Sequence, residues 1–239
     1  FVKKGGFRID LATKGYEMHT GHVVVEKADY QYRLYPATGQ CSIVNFSPTF
    51  YELLTAEYDL KNSFFFGNAN LLSLLLTSSP TIDYLHYQIV SSTQTAAKLT
   101  IDNLVLELVQ HILRLIENNV FANEVAPSLQ KNHLTTVEKA KEYMQAHFSE
   151  DISLLELSNR CCVSPFHLCR IIKQFTAYSP HQYLMTLRLM HAERLLRNTS
   201  VPIVDVCFSS GFNSIEYFAT VFKQHYNRNP TQYRKRAGY

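Results

Sequence analysis

The sequence predicts an α+β protein, with strands and helices in its N-terminal half and only helices in its C-terminal half. The first observation is that residues 16–48 alternate large or β-branched side chains with polar ones, which is typical of strands. The second is that residues 152–234 contain one helical pattern written twice. The third is that 239 residues with 46% hydrophobic content suffice for two packed domains.

In the N-terminal half, strands are expected at three short stretches, Val23–Val25, Tyr30–Leu34 and Cys41–Phe46. A short helix is expected to open at Pro48. From Asn68 the apolar spacing becomes helical, so we predict a helix with one apolar face made of Leu71, Leu72, Leu75 and Leu76. After Pro80 another helix is predicted, with an apolar face made of Ile82, Leu85, His86 and Ile89.

The strongest helical pattern is Thr100–Glu117, where apolar side chains recur at spacings of three and four. This stripe needs a partner surface, either in its own chain or on the same helix of a second chain, and the sequence leaves both open. We expect a homodimer through this helix. Periodicity is lost over 119–133, so we place a linker at 121–134, between a domain of residues 1–120 and one of 135–239. Thr135 and Glu138 are predicted to cap a helix over 136–148.

The repeated pattern predicts two helix-turn-helix units. Ile152–Leu157 recurs 49 residues later as Val201–Val206, whereas the second half of each copy recurs at 50 residues, which places one extra residue in the second turn. Capping boxes are predicted at three helix starts, Ser153 with Glu156, Ser179 with Gln182, and Asn213 with Glu216. Prolines at first helical positions mark four starts, Pro165, Pro180, Pro202 and Pro230.

The charge is unequally divided along the chain. Residues 134–239 carry 13 Lys+Arg and 8 Asp+Glu, a net +5, and the remaining 10 and 12 give −2, which together make the overall +3. A basic half fits a nucleic-acid module. The absence of a long apolar run predicts no membrane span and a cytoplasmic location, with the five cysteines as reduced thiols. Because the chain begins at Phe1 without a signal-peptide pattern, we expect a fragment of a longer product.

The second helix of a helix-turn-helix places its N-terminal part in the major groove of double-stranded DNA, and we call these helices reader 1 and reader 2. On reader 1 the expected outward residues are Phe166, His167, Cys169, Arg170 and Lys173. On reader 2 they are Ser214, Ile215, Glu216, Ala219, Thr220 and Lys223. Arg170 is the strongest candidate for a base contact, since a guanidinium bridges guanine O6 and N7. Ile215 and Ala219 suit a thymine methyl, and Glu216 either accepts from cytosine or only completes its cap.

A helix over 180–197 separates the two readers by about 27 Å. Successive major grooves on one face of DNA lie about 34 Å apart, so one chain is expected to read two adjacent turns. Four residues are weaker candidates for phosphate contacts, namely Ser164, Asn213, Arg188 and Arg194. For the two arginines the alternative is a solvated surface charge.

Residues 135–236 resemble the DNA-binding domain of the AraC/XylS family of bacterial transcription regulators. The resemblance rests on Ser164-Pro165-x-x-Leu168, Pro180-x-x-Tyr183, Gly211-Phe212 and Asn229-Pro230-x-x-Tyr233-Arg234, among other matches. It implies a seven-helix domain acting at promoters, usually as an activator that contacts RNA polymerase. The N-terminal half resembles the family's cupin-like sensor with dimerisation helices, which implies a small-molecule effector. Cys162, Ala177 and Asn227 stand where the family often has Gly, and a left-handed Ala177 would be strained.

Three alternatives to a DNA-binding regulator are considered. Glu17, His19, His22 and Glu26 suggest a metal-dependent cupin enzyme, but on a continuous strand the two histidines would face opposite sides. Cys161, Cys162, His167 and Cys169 suggest a zinc or alkyl-acceptor cluster, although the helical register separates them. The third alternative is an interaction module whose repeat binds protein. We predict a DNA-binding transcription regulator with no cofactor, no metal and no catalytic chemistry.

Overall fold

The computed structural model of the protein describes residues 1–11, 14–27, 32–35, 39–94, 96–118 and 127–237. The chain divides into two compact units, Phe1–Glu138 and Lys139–Tyr239. The strands are β1 (Val2–Lys4), β2 (Gly6–Leu11), β3 (Lys14–His19), β4 (His22–Glu26), β5 (Tyr32–Leu34), β6 (Gln40–Cys41) and β7 (Ser73–Thr77). The helices are α1 (Pro48–Glu57), α2 (Pro80–Ser92), α3 (Lys98–Glu117), α4 (Pro127–His147), α5 (Leu154–Arg160), α6 (Pro165–Thr176), α7 (Pro180–Asn198), α8 (Ile203–Ser209), α9 (Ile215–Tyr226) and α10 (Pro230–Ala237).

The described strands of the first unit form three small antiparallel sheets, which pair β1 with β6, β2 with both β3 and β5, and β4 with β7. Side chains on one face of the middle sheet, Ile9, Leu11, Tyr16 and Met18, are buried and make a core cluster with Val2 of β1. The sequence reasoning missed β1 and β2. Alternation of Phe7, Ile9 and Leu11 with Arg8 and Asp10 is the signal that marks β2.

Strand β4 confirms the strand predicted at Val23–Val25. The helix predicted from the leucines at 71–76 is wrong, because Ser73–Thr77 is a strand. Leu74, Leu75 and Leu76 lie opposite Val25, Val24 and Val23 in register. Helix propensity is a weak preference, and pairing with a β-branched run overrides it here.

The strand predicted at Cys41–Phe46 is also mostly wrong. Only Gln40 and Cys41 pair with β1, and residues 42–47 are irregular. Ile43 is 68% exposed, so this stretch has no buried face to hold a strand in place. Of the strand predicted at Tyr30–Leu34, residues 32–34 form β5 and the first two residues lie outside the described part of the chain.

The helices predicted to open at Pro48, after Pro80 and near Thr100 are confirmed as α1, α2 and α3. The apolar stripe of α3 is already covered within its own chain. Val109 and Leu113 pack with Leu54 and Leu60 from α1 and the short 3-10 turn that follows it, and α3 also contacts α2. The stripe therefore has its partner surface without a second chain.

The helix start predicted at Thr135 is wrong, because α4 begins at Pro127. Of the predicted linker, residues 121–126 lie outside the described residues and residues 127–134 are helical. Glu138 has no capping role. Its buried carboxylate accepts hydrogen bonds from the Gly5 N–H and from the Thr20 hydroxyl, the latter at 2.6 Å. Pro127 is suited to a first helical position, and the polar residues that follow it permit a helix although they lack apolar periodicity.

The second unit is all helical over its described residues, as predicted. Helix α7 contacts α6, α8 and α10, so it runs through the unit between the two repeated motifs. Around its C-terminal half lies one core cluster, made of Leu189, Ala192, Leu196, Val206, Cys207, Phe212, Phe218 and Phe222. None of the helices in the described ranges is both long and apolar enough to cross a membrane.

Candidate nucleic-acid interface

The first helix-turn-helix consists of α5, the turn Cys161–Val163 and α6. Ser153 caps α5 by accepting the Glu156 N–H at 3.0 Å. The return half of the predicted capping box is absent, because the Glu156 carboxylate accepts from the Tyr143 hydroxyl at 2.6 Å instead. That hydrogen bond, together with Arg160, holds the pKa of Glu156 below its ordinary value. Glu156 thus ties α5 to α4.

Reader 1 is α6, which begins at Pro165 after the cap Ser164. Its buried face consists of Leu168, Ile171, Ile172 and Phe175, as predicted. The opposite face presents Phe166, which is 81% exposed, and the exposed Arg170 and Lys173. His167 and Cys169 are partly buried at its edges. Ser164 accepts the His167 N–H at 3.3 Å, so its hydroxyl serves the helix start.

The second helix-turn-helix consists of α8, the turn Ser210–Asn213 and α9. The turn has one more residue than that of the first motif, as the change of repeat period predicts. Two predicted starts shift by one residue. Pro202 is the N-cap of α8 rather than its first residue, and Ser214, not Asn213, is the N-cap of α9. Asn213 is an exposed turn residue.

Reader 2 is α9, whose buried residues are Phe218 and Phe222. Glu216, Thr220 and Lys223 are exposed as predicted, and Ala219 is partly buried. Ser214 accepts the Tyr217 N–H at 3.2 Å and donates its hydroxyl to the Glu216 carboxylate at 2.8 Å. This bond lowers the pKa of Glu216. The Thr220 hydroxyl donates to the Glu216 carbonyl at 2.8 Å, so the polar groups of this face already bond each other.

Two residues of reader 2 differ from their prediction. Ile215 does not stand outward, because it is partly buried and packs against the core cluster. The sequence reasoning missed Tyr217, which is 47% exposed. Its signal is the repeat, since Tyr217 lies 50 residues after His167, which the sequence predicts to face outward on reader 1.

Three residues of the two motifs adopt left-handed backbone conformations without being glycine. Cys162 lies in the first turn with φ 55°, Ala177 ends α6 with φ 64°, and Asn227 ends α9 with φ 57°. These are the positions at which the family resemblance leads one to expect Gly. Asn tolerates this region, whereas Ala and Cys are strained in it.

Helix α7 separates the two readers and begins with the predicted capping box. Ser179 accepts the Gln182 N–H at 3.2 Å, and the Gln182 side chain accepts the Ser179 N–H at 2.9 Å. Over Pro180–Asn198 its length is about 28 Å. Arg194 is partly buried on this helix, and Arg197 forms an ion pair with Glu193 at 3.6 Å.

Arg188, a predicted phosphate contact, points its donors into the protein. Its Nε donates to the Phe148 carbonyl at 2.8 Å, and Nη2 donates to the Glu150 carbonyl at 2.7 Å. Burial lowers its pKa from the ordinary value. These two hydrogen bonds serve the fold and occupy the edge of the guanidinium that a phosphate would use.

Helix α10 closes the domain on α7. The Tyr233 hydroxyl donates to the buried Glu193 carboxylate at 2.6 Å. Burial raises the pKa of both groups, and their hydrogen bond works against that rise for Glu193 and adds to it for Tyr233. This polar pair fixes the last helix beside reader 2.

The two alternative metal sites do not assemble among the described residues, where no group of three or more His, Cys, Asp or Glu side chains could hold a metal ion. His19 and His22 do not face opposite sides of one strand. The Thr20–Gly21 turn reverses the chain between them, with Gly21 at φ 96°, and brings their rings to 3.6 Å. Both histidines are buried, whereas Glu17 and Glu26 are exposed.

Among the cysteines of the second cluster, Cys161 is buried and Cys162 is exposed. Burial raises the pKa of the Cys161 thiol. Cys169 is partly buried on reader 1.

Comparison with known proteins agrees with the geometry of the second unit. Residues 157–236 match the model of a helix-turn-helix domain family. An uncharacterized HTH-type transcriptional regulator of Staphylococcus aureus (strain COL) is 32% identical over 138 residues, 58% of this chain and 18% of that protein. The HTH-type transcriptional activator RhaS of Escherichia fergusonii is 28% identical over 136 residues, 57% of this chain and 47% of that protein.

Among solved structures, the C-terminal domain of AraT, a response regulator from Geobacillus stearothermophilus, is 36% identical with a TM-score of 0.41, covering 42% of this chain and 84% of that one. This chain spans 18% to 47% of the length of the two curated relatives. The match over 157–236 agrees with the two helix-turn-helix motifs seen in the fold. The C-terminal region of this chain therefore contains a helix-turn-helix domain over residues 157–236.

Proposed function

We propose that this protein is a sequence-specific DNA-binding transcription regulator that reads two successive major grooves through α6 and α9. The observation that carries the proposal is the pair of capped helix-turn-helix motifs flanking one stiff helix of about 28 Å. Each reader buries one apolar face and exposes side chains on the opposite face, including the first turns of the helix. The net charge of +5 over 134–239 supports attraction to phosphate.

The two readers differ in what they offer to a base pair. Arg170 is exposed on reader 1 and carries a guanidinium that can bridge the acceptors of guanine. Phe166 beside it offers an apolar surface to a thymine methyl. On reader 2, Glu216 and Thr220 are engaged with neighbouring groups, and only Lys223 adds a cationic side chain to the predicted set. We expect guanine dependence in the half-site of reader 1 and a weaker preference in the other.

The experiment begins with selection of high-affinity duplexes from a randomised DNA library by the wild-type chain. Arg170→Ala is expected to weaken binding to the selected duplex by about 1 to 3 kcal/mol, while binding to unrelated DNA changes much less. Fluorescence anisotropy titrations on both duplexes measure the difference. The result follows from loss of a bidentate base contact rather than of charge alone.

Lys173→Ala on the same helix is the matched control, because it also removes one exposed positive charge from reader 1. If Lys173 contacts a phosphate, this variant weakens both duplexes alike and reduces the salt slope by about 0.9. Selected DNA that binds Arg170→Ala as tightly as wild type would refute the assignment of reader 1. Failure of the wild type to enrich any sequence would refute the proposed function itself.

The N-terminal unit is proposed to be a cupin-like sensor and dimerisation region, on the strength of its antiparallel strands followed by α2 and α3. Since the main stripe of α3 is covered within the chain, a homodimer would use its remaining partly buried apolar residues, such as Ile112 and Leu115. Light scattering at micromolar concentration tests this, and a monomeric mass would contradict it. Control by a small effector, activation through RNA polymerase and a cytoplasmic location stay predictions.

A further inference from the structure

Two segments of the second unit meet at Arg188, near the middle of α7. The first is the loop 148–150, which joins α4 to the first helix-turn-helix. Arg188 holds it through two hydrogen bonds, Nε to the Phe148 carbonyl at 2.8 Å and Nη2 to the Glu150 carbonyl at 2.7 Å. A guanidinium is planar and rigid, so two donors on one edge fix both the distance and the angle of the loop.

The second segment is the turn of the second helix-turn-helix, at Gly211. A Cβ atom at this position would lie 2.6 Å from the Phe148 carbonyl oxygen and 2.9 Å from Arg188 Nε. Gly211 also has φ +83°, a conformation that favours glycine. The turn backbone therefore lies directly against the same loop and the same guanidinium, with no side chain between them.

The charge of the guanidinium also interacts with the Asp151 carboxyl group, just after the loop, and with Tyr217, on reader 2, and both interactions oppose the lowering of the Arg188 pKa by burial. Arg188 thus lies against the entry to the first motif and the turn of the second motif.

We propose that Arg188 is a positioning residue that locks both helix-turn-helix motifs to α7 and thereby sets the spacing between the two DNA half-sites. This inference rests on the proposed function, that the two readers enter successive grooves. Apolar packing already holds the second motif on α7, because Leu189, Ala192 and Leu196 share one core cluster with α8 and α9. The contacts at Arg188 and Gly211 add a polar link between the loop that leads into the first motif and the turn of the second.

A phosphate contact by Arg188, the competing role, predicts different behaviour. Its Nε and Nη2 donors both point to carbonyl groups of the protein, and the side chain is partly buried, unlike the exposed Arg170. A phosphate contact depends on charge, which Lys retains. The lock depends on two simultaneous hydrogen bonds from a rigid fork, which Lys cannot reproduce.

The test uses the full chain and a duplex selected by wild type from a randomised library. Base pairs are inserted or removed, one or two at a time, between the two segments that wild type protects in footprinting. One inserted base pair moves the second half-site by about 3.4 Å and turns it by about 35°. Wild type is expected to lose roughly tenfold in affinity at each changed spacing, as for loss of a base contact.

Arg188→Lys and Arg188→Ala are expected to reduce this preference to about twofold or less, with the salt slope of binding unchanged from wild type. Arg197→Lys is the matched control on the same helix, because Arg197 lies outside the lock, and it should keep the wild-type spacing profile. The Lys variant keeps the positive charge and most of the aliphatic side chain, so it remains informative if the Ala variant fails to fold.

A wild-type spacing profile in Arg188→Lys would overturn the inference. So would a salt slope reduced by about one in Arg188→Ala with an unchanged spacing profile, since that result marks a phosphate contact. If wild type binds the selected duplex without any spacing preference, the lock is refuted while DNA binding stands. If wild type enriches no sequence, the proposed function fails and the inference with it.

Discussion

Ala177 ends reader 1 in a left-handed conformation with φ 64°, where its N–H donates to the Lys173 carbonyl at 2.9 Å. An L-residue in this region carries a steric cost of roughly 1–2 kcal/mol, from the approach of its Cβ to the backbone. Glycine lacks that cost, but loses more conformational entropy on folding by about 0.5–1 kcal/mol. The difference predicts that Ala177→Gly stabilises the second unit by about 0.5–1 kcal/mol.

Two further variants calibrate this expectation. Asn227 ends reader 2 in the same conformation with φ 57°, and because Asn tolerates this region, Asn227→Gly should change stability by less than about 0.5 kcal/mol. Gly211→Ala should act in the opposite direction. It adds left-handed strain at φ +83° and a contact of 2.6 Å with a backbone oxygen, so a loss of about 2–5 kcal/mol is expected.

Urea unfolding of the full chain, followed by far-ultraviolet circular dichroism, measures these differences from the transition midpoints at constant m value. The transition that Gly211→Ala moves to lower urea identifies the second unit. The reasoning is refuted if Ala177→Gly leaves that midpoint unchanged or lowers it, or if Asn227→Gly raises it by as much as Ala177→Gly does.

Two predictions concern pH. Burial raises the pKa of Glu193 above the ordinary 4.5, so the stabilisation that the protonated carboxyl group provides is lost as pH rises through the raised pKa. Over that pH range, the free energy of unfolding of Glu193→Gln should increase relative to wild type, as measured by urea titrations of the second unit. A difference between the two proteins that does not change with pH would contradict this. Burial, with Arg114 nearby, lowers the pKa of His111 from 6.5 to about 4. The stabilisation that neutral His111 provides is therefore present above pH 6.5 and lost as pH falls toward 4. His111→Gln should make the first unit less sensitive to acid. An unchanged midpoint of acid unfolding would contradict the lowered pKa of His111.

The agreement between sequence and structure is closest where the signals are local. A serine cap followed by proline marks the start of α6 and of α7, and both helices begin at those prolines. The buried face of α6 follows from its spacing of three and four. Caps, prolines and helical period act over a few residues, so their outcome needs little knowledge of distant parts of the chain.

The errors occur where distant segments compete with local preference. The leucines at 74–76 form a strand because they pair with 23–25, about fifty residues away in the chain. The local sequence predicts that Glu138 caps a helix start, but its carboxylate accepts hydrogen bonds from Gly5 and Thr20, more than a hundred residues earlier in the chain. The spacing of apolar residues does not reveal these partners, because it indicates which face of a helix or strand a residue lies on but not which segment packs against that face.

The sequence by itself determined that the C-terminal region has two helix-turn-helix motifs, that α6 and α7 begin at Pro165 and Pro180, and that Arg170 stands on an exposed reader face, because these depend on local backbone chemistry and periodicity. Only the tertiary structure decided that α3 finds its partner within the chain, that Ile215 turns into the core, and that Arg188 binds protein carbonyls. A side chain's exposure and partners depend on which distant segments pack against it, and that packing minimises the free energy of the whole unit rather than of any one stretch.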